Sequence, residues 1–281
     1  MYYEGDFKAG KMHGVGKIVW LDELKTFECV WEGDKRKGAG GTLRFGNGDI
    51  YEGEVSETYL REGHGVLTYE TGDVYTGSWL ADVIEGTGKK CYRDGDSYDG
   101  QWTAGKAHGS GVQSSSGNVY RGSFENGKKT GSGELLYSDG ASYVGMWKSN
   151  ERSGQGVMLY ANGDRYSGSW LNDMQDGEGE LSFVCGDKLV GTFVRDEPHG
   201  NCVKTFSNGD RFEGTYTMGQ RCGTGTMKYA DGRRFEGEFK LGVPHGKGRL
   251  YFAAPPPAPP AKEKTGKEEG NKDEEENVKN L

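Results

Sequence analysis

The chain has 281 residues, of which 50 are glycine and only 33% are apolar, so it lacks the side chains for a globular core of that length. A net charge of −8 with no basic half excludes the usual electrostatic footprint of nucleic-acid binding. Five cysteines without framework spacing, and no apolar run approaching the roughly 20 residues that cross a bilayer, point to a soluble chain of a reducing compartment.

The first residues fall directly into a phrase, aromatic-x-Gly-x-apolar, that returns every 22 to 24 residues and leaves no room for a signal peptide. Full copies read Tyr3-Glu-Gly5-Asp-Phe7, Tyr75-Thr-Gly77-Ser-Trp79, Tyr98-Asp-Gly100-Gln-Trp102, Tyr143-Val-Gly145-Met-Trp147, Tyr166-Ser-Gly168-Ser-Trp170 and Phe235-Glu-Gly237-Glu-Phe239. Weaker copies begin at Phe27, Tyr51 (with Gly53), Tyr120, Leu189 and Phe212, making 11. A period of this size marks a stacked array whose units are stable only against their neighbours.

Within one period, alternation places Tyr75, Gly77 and Trp79 on one face of a strand. The bare backbone of Gly77 offers a seat for a ring from a neighbouring strand. Leu80 to Gly86 reads as a loop ending in Gly86-Thr-Gly88, a Gly-x-Gly that recurs in nearly every copy. A second strand then ends on an aromatic, such as Tyr69, Tyr92, Tyr137 or Phe206, before a tight turn such as Asn47-Gly-Asp49 or Asn162-Gly-Asp164. Each repeat is therefore a β-hairpin in an all-β array over residues 1–252 of about 22 strands. Residues 253–281 form a Pro-rich and then charged tail, with Lys262 to Leu281 read as disordered.

No catalytic constellation emerges. Gly5…Gly10-Lys11, Gly100…Gly105-Lys106 and Gly122…Gly127-Lys128 mimic a phosphate loop, but each lacks the following Ser or Thr and a helix. His13, His108, His199 and His245 occupy one repeat position, about 10 Å apart in successive repeats, too far to share a zinc ion. The Asp row (Asp49, Asp73, Asp96, Asp164, Asp187, Asp210) fails as a calcium site for the same reason, and its carboxylates are expected to bond turn backbone. No enzyme, cofactor or metal is expected.

These residues resemble the MORN repeat (membrane occupation and recognition nexus) from about residue 2 to residue 252. The resemblance implies an elongated, twisted, single-layer antiparallel sheet. It also implies a non-catalytic scaffold or adaptor that docks protein partners in a cytoskeletal, ciliary or flagellar assembly. Family members beside lipid kinases and in junctional membranes give the alternative: an anionic-phospholipid binding module or an enzyme-targeting subunit. Cys29 and Cys202 replace glycines of the pattern, and Lys90, Gln113 and Ser115 replace apolar or aromatic residues.

Partner contacts are expected where the repeat breaks. Tyr59 and Leu60, at an insertion in repeat three, and Val83 and Ile84, in repeat four, are expected at adjacent loop tips as an apolar patch. The Tyr and Trp face offers a second surface, a groove for a helix or extended peptide. The uncovered N-terminal edge strand is expected to pair with a second copy. Scattered basic pairs on an acidic body give little hold on a membrane. The chain is expected to be cytoplasmic, on a cytoskeletal or ciliary element.

Overall fold

The structure, a computed structural model, describes residues 1–253, so the expected tail beyond Ala253 lies outside the described residues. The described residues form 23 β-strands in one open antiparallel sheet that pair in chain order, except that Lys35–Arg36 pairs only with Lys25–Glu32, which also pairs with Gly40–Phe45. The first strand, Tyr2–Lys8, and the last, Val243–Tyr251, each pair on one side only. The extra element relative to expectation is Lys35–Arg36, a two-residue strand that interrupts the second hairpin. Among the described residues no helix is long and apolar enough to cross a membrane.

The register explains the glycines. Gly53, Gly65, Gly77, Gly88, Gly100 and Gly111 stand directly opposite one another on successive strands, and the row continues to Gly248. Cys202 interrupts it between Gly191 and Gly214. Each tyrosine lays its ring over two members of this row. A Cβ on Gly88 would strike the ring of Tyr75, and one on Gly77 would strike both the Tyr75 hydroxyl and Gly88 Cα. The covering ring thus comes from Gly77's own strand as well as from the strand beside Gly88, not only from a neighbour as the sequence suggested. The Tyr75 hydroxyl then donates to Ser78 O at 3.1 Å, closing a loop with the ring across the backbone.

The two long edges of the sheet carry different turns, and the expected loop from Leu80 to Gly86 is not one. Ala81 and Asp82, with φ of 48° and 70°, form a two-residue turn between strands Val74–Leu80 and Val83–Cys91. Positive φ at both central positions is the type I′ geometry whose twist suits a right-handed hairpin. The register then slips, with Trp79 opposite Ile84 but Gly77 opposite Gly88, and the bulge puts Gly86 at φ 87°. The two glycines of Gly-x-Gly therefore have separate duties: Gly86 supplies the bulge conformation and Gly88 the seat for the ring. On the other edge, Gly72 N–H donates to Tyr69 O and Tyr69 N–H to Asp73 O, enclosing a three-residue loop. The Gly-Asp signal therefore marks this wider turn.

Aspartates tie successive repeats together at both edges. Asp49, Asp73, Asp164, Asp187 and Asp210 each accept, through Oδ1, a backbone N–H from the next repeat's turn, at Glu70, Arg93, Val184, Ser207 and Ala230. The expected turn-bonding role of the Asp row is what the geometry shows. At the opposite edge Asp34, Asp82, Asp173 and Asp196 bind backward to the amides of Met12, Arg61, Arg152 and Gln175. Ala141 replaces the aspartate in repeat six and leaves that rung without its side-chain bond.

The seat of the ring predicts the cost of filling it. A Cβ on Gly145 would stand 2.6 Å from Gly156 Cα and closer still to the Tyr143 hydroxyl. Gly145→Ala should therefore destabilise by about 1–3 kcal/mol in urea denaturation, whereas alanine at the open turn position Gly140 should cost only its positive φ. The turn aspartates predict the response to acid. Asp187 is held below the ordinary carboxylate range by the Ser207 amide and then Lys204, and Asp96 by the Ser115 hydroxyl and then the Ser116 amide. A depressed folded-state pKa contributes stability that is full above the unfolded value and lost as pH falls through the folded one. The melting temperature should be flat above about pH 5 and should drop below about pH 4.

Candidate functional site

The tyrosines and tryptophans of the repeat form one continuous stack. From Tyr51 to Phe193, through Trp79, Tyr75, Trp102, Tyr98, Phe124, Tyr120, Trp147, Tyr143, Trp170 and Tyr166, each ring meets the next edge to face at 4.9–5.5 Å. This geometry suits the ring quadrupole and adds to burial. Tyr51, Tyr75, Tyr143 and Tyr166 are fully buried, and Trp79, Trp102, Trp147 and Trp170 nearly so. Burial pushes the phenols of Tyr75, Tyr98, Tyr120 and Tyr143 up to about 12, so they remain neutral donors to backbone carbonyls. The stack is thus the core of the array, and these rings are not the open groove lining the sequence suggested. What the face presents instead is a half-buried outer row, including Tyr69, Tyr137, Tyr160, Phe183, Phe206 and Tyr229.

The four residues expected at the loop tips do not share one exposed surface. Repeat three carries Val55 where its neighbours carry an aromatic, and Tyr59, at φ 63° in the longer turn, folds into the space. Its ring meets Phe27 and Trp20 edge to face, both at 5.1 Å, much as Trp79 meets Tyr51. Leu60 is half-buried beside it. Ile84 lies on a strand, not a loop, and is buried opposite Trp79, while Val83 is exposed. The insertion therefore restores a missing core ring.

Cations flank the stack, and two of them, Lys90 and Lys204, stand where other repeats carry Leu135 or Met158. Arg61 places its guanidinium 4.2 Å from the Trp79 ring centre and 3.0 Å from Asp82 Oδ1. Arg152 repeats this with Trp170 at 4.2 Å and Asp173 at 3.0 Å. On the other flank Lys90 Nζ lies between the rings of Tyr69 and Tyr92, 3.6 Å from Asp73, and Lys204 between Phe183 and Phe206, 3.0 Å from Asp187. Each combines ring stacking with an ion pair. Lys90 was legible as a departure from the pattern. The set was not, because a lone basic residue in an array reads as solvated surface. Among the described residues no group of three or more His, Cys, Asp or Glu is placed to hold a metal ion.

Repeat nine departs twice, and the two departures compensate. In repeat five, the Tyr98 hydroxyl reaches Gln101 O at 2.9 Å and His108 O at 3.4 Å. Leu189 stands at that position in repeat nine, and the Cys202 thiol fills the vacated volume, 3.8 Å from Thr192 O and 3.7 Å from His199 O. Those are the two carbonyls a tyrosine hydroxyl would have engaged. Cys202 is buried and burial raises its pKa, which fits a packed thiol and not a reactive one. Leu189 also ends the ring stack, which resumes at Tyr216 and Phe212.

Fold and site together define a tandem β-hairpin repeat protein with an aromatic spine and laterally bonded turns. The chain belongs to the MORN-repeat family: the family model matches residues 3–22, 59–74, 75–97, 98–119, 120–142, 143–165, 166–188, 190–211, 212–233 and 235–254. Ten stretches match where the sequence suggested eleven copies. The unmatched copy begins at Phe27, carries Cys29 at the strand glycine and is split by Lys35–Arg36, yet buries Phe27 and Trp31 like the others. No curated protein matches the chain. Among solved structures it is similar to the TCP10 domain of Danio rerio CPAP in complex with a peptide of STIL, at 15% identity over 82% of this chain and 99% of that one, TM-score 0.39. It is also similar to the SAS-4 TCP domain of Drosophila melanogaster in complex with a proline-rich motif of Ana2, at 14% identity over 63% and 85%, TM-score 0.27. Likenesses at these scores bear no weight on function.

The compensation in repeat nine is testable. Leu189→Tyr alone should overpack against Cys202 and cost about 1–3 kcal/mol. Adding Cys202→Gly should recover most of that loss, giving a coupling of at least about 1 kcal/mol in a double-mutant cycle. Additive effects would contradict the shared site.

Proposed function

We propose that this protein is a non-catalytic scaffold or adaptor that docks protein partners within a cytoskeletal or ciliary assembly. The observation that carries the reading is the lateral locking of the array. One ring stack, one glycine row and two sets of turn carboxylates bind each hairpin to the next, so the sheet supports a stiff spacer rather than a mobile lid. No catalytic domain is matched alongside the repeats. The body is acidic, and four of the cations beside the rings, Arg61, Lys90, Arg152 and Lys204, each hold an aspartate. That weighs against the phospholipid-module reading. The edge strand Tyr2–Lys8 leaves one side unpaired and exposes Phe7, which supports self-association through that end.

A tagged copy imaged after detergent extraction of cells tests this reading. Retention on an axoneme or another cytoskeletal element is the expected result. Complete release into the soluble and membrane fractions would end the scaffold reading and favour a lipid or enzyme partner.

A further inference from the structure

A cavity of about 350 Å³ opens on the aromatic face across repeats five to seven, lined by Gln113, Ser115, Asn118, Tyr120, Lys129 and Asn150 among others. Four departures from the residues usual at these repeat positions line it. Gln113 stands where Leu67 and Leu135 pack, and Ser115 where Tyr92 and Tyr137 stand, which opens the space. Asn118 replaces the turn aspartate represented by Asp73 and Asp96: it accepts the Ser138 amide at 2.9 Å just as those accept the amides of Arg93 and Ser116. Asn150 replaces the aspartate of the opposite edge, accepting the Lys129 amide at 2.8 Å as Asp173 accepts that of Arg152.

The effect is to remove two negative charges around a retained cation. Lys129 occupies the position of Arg61 and Arg152, with its ammonium 5.0 Å from the Tyr120 ring and 5.4 Å from that of Trp147. Those two arginines have Asp82 and Asp173; Lys129 has an amide instead, and makes no ion pair among the described residues. The nearby carboxylates are engaged elsewhere, Asp96 by Ser115 and Ser116, Asp173 by Arg152. Burial pulls the Lys129 pKa down, a penalty that a bound anion would reverse. Because Oδ1 of Asn118 and of Asn150 each already accepts a backbone N–H, the free end of each side chain is its NH2 donor. Gln113 adds a third amide.

We propose that this cavity is an oxyanion site that takes a phosphate group carried on a partner polypeptide. The Lys129 ammonium with the Asn150 and Gln113 amides supplies more donors than a planar carboxylate can use, while Asn118, on the far margin, takes a negative charge away from the cavity. These donors suit a dianionic group with three terminal oxygens. An acidic array in which Arg61, Lys90, Arg152 and Lys204 are each paired with an aspartate disfavours an anionic bilayer as the source. The proposal rests on the docking reading only for the carrier of the phosphate; the site itself fails or stands independently of cellular retention.

The test uses the full chain with a capped Ala-phosphoserine-Ala peptide, its serine and glutamate counterparts, inorganic phosphate, and phosphatidylcholine vesicles doped with a phosphatidylinositol phosphate. Binding is followed by calorimetry and by the side-chain amide resonances of Asn118 and Asn150. The phosphoserine peptide and inorganic phosphate should bind and the serine peptide should not. Lys129→Gln should weaken binding by about tenfold or more. Asn150→Asp should do the same with an unchanged melting temperature, since it installs the pairing that Arg152 and Asp173 already make. Undiminished binding to Asn150→Asp, equal binding of the glutamate peptide, binding to the vesicles alone, or no binding of any phosphate probe would each overturn the proposal.

Discussion

A tyrosine ring laid flat across two facing glycines is the contact on which the rest of the molecule depends. A single-layer sheet has no second layer to bury its side chains against, so it must find an interior within its own thickness. Removing the side chains from one row, Gly77 and Gly88 in the fourth repeat, sinks the Tyr75 ring against bare backbone. The tryptophan two residues after the glycine then closes over it and meets the preceding repeat's tyrosine as well. A thin ribbon thereby acquires rings with no exposed surface. The high glycine content that rules out a globular core is the means by which this one is built.

The turns serve the same end from the margins. Each hairpin alone would leave amides of its turns unsatisfied by the sheet, and the aspartates meet them from the neighbouring repeat. Charge placed at the margins also neutralises Arg61, Lys90, Arg152 and Lys204, which stack on the rings. Side chains drawn from three successive hairpins thus share one pattern of bonding. The places where it lapses are specific: Ala141 drops one rung, Leu189 interrupts the ring stack, and Asn118 and Asn150 substitute amides for acids on the two margins around Lys129.

The all-β repeat, the strand faces and the turn role of the aspartates were legible in the sequence because each follows from a local period. Which glycine turns and which one seats a ring was not legible, because Gly86 and Gly88 differ only through a register slip with the strand before them. Ile84 was misplaced in a loop because a type I′ turn made by Ala81 and Asp82 carries no glycine to announce it. Tyr59 read as an exposed tip because its partners, Phe27 and Trp20, lie one and two hairpins upstream. Lys129 read as surface for the opposite reason. Its character comes from what Asn118 and Asn150 no longer supply, and an absent charge is visible only when repeats are superposed.

The bonds between repeats have one further property. They run from each unit to the next with nearly the same sequence offset, so any unit presents to its neighbours the same donors, acceptors and ring edges that it receives. Copying or deleting one whole unit would bring together surfaces that already fit. The length of such a molecule can therefore change in evolution by steps of about 10 Å, two strand spacings, without a new interface having to be invented. A protein of this design is a ruler whose graduations are interchangeable, and its individuality resides in the few marks that differ.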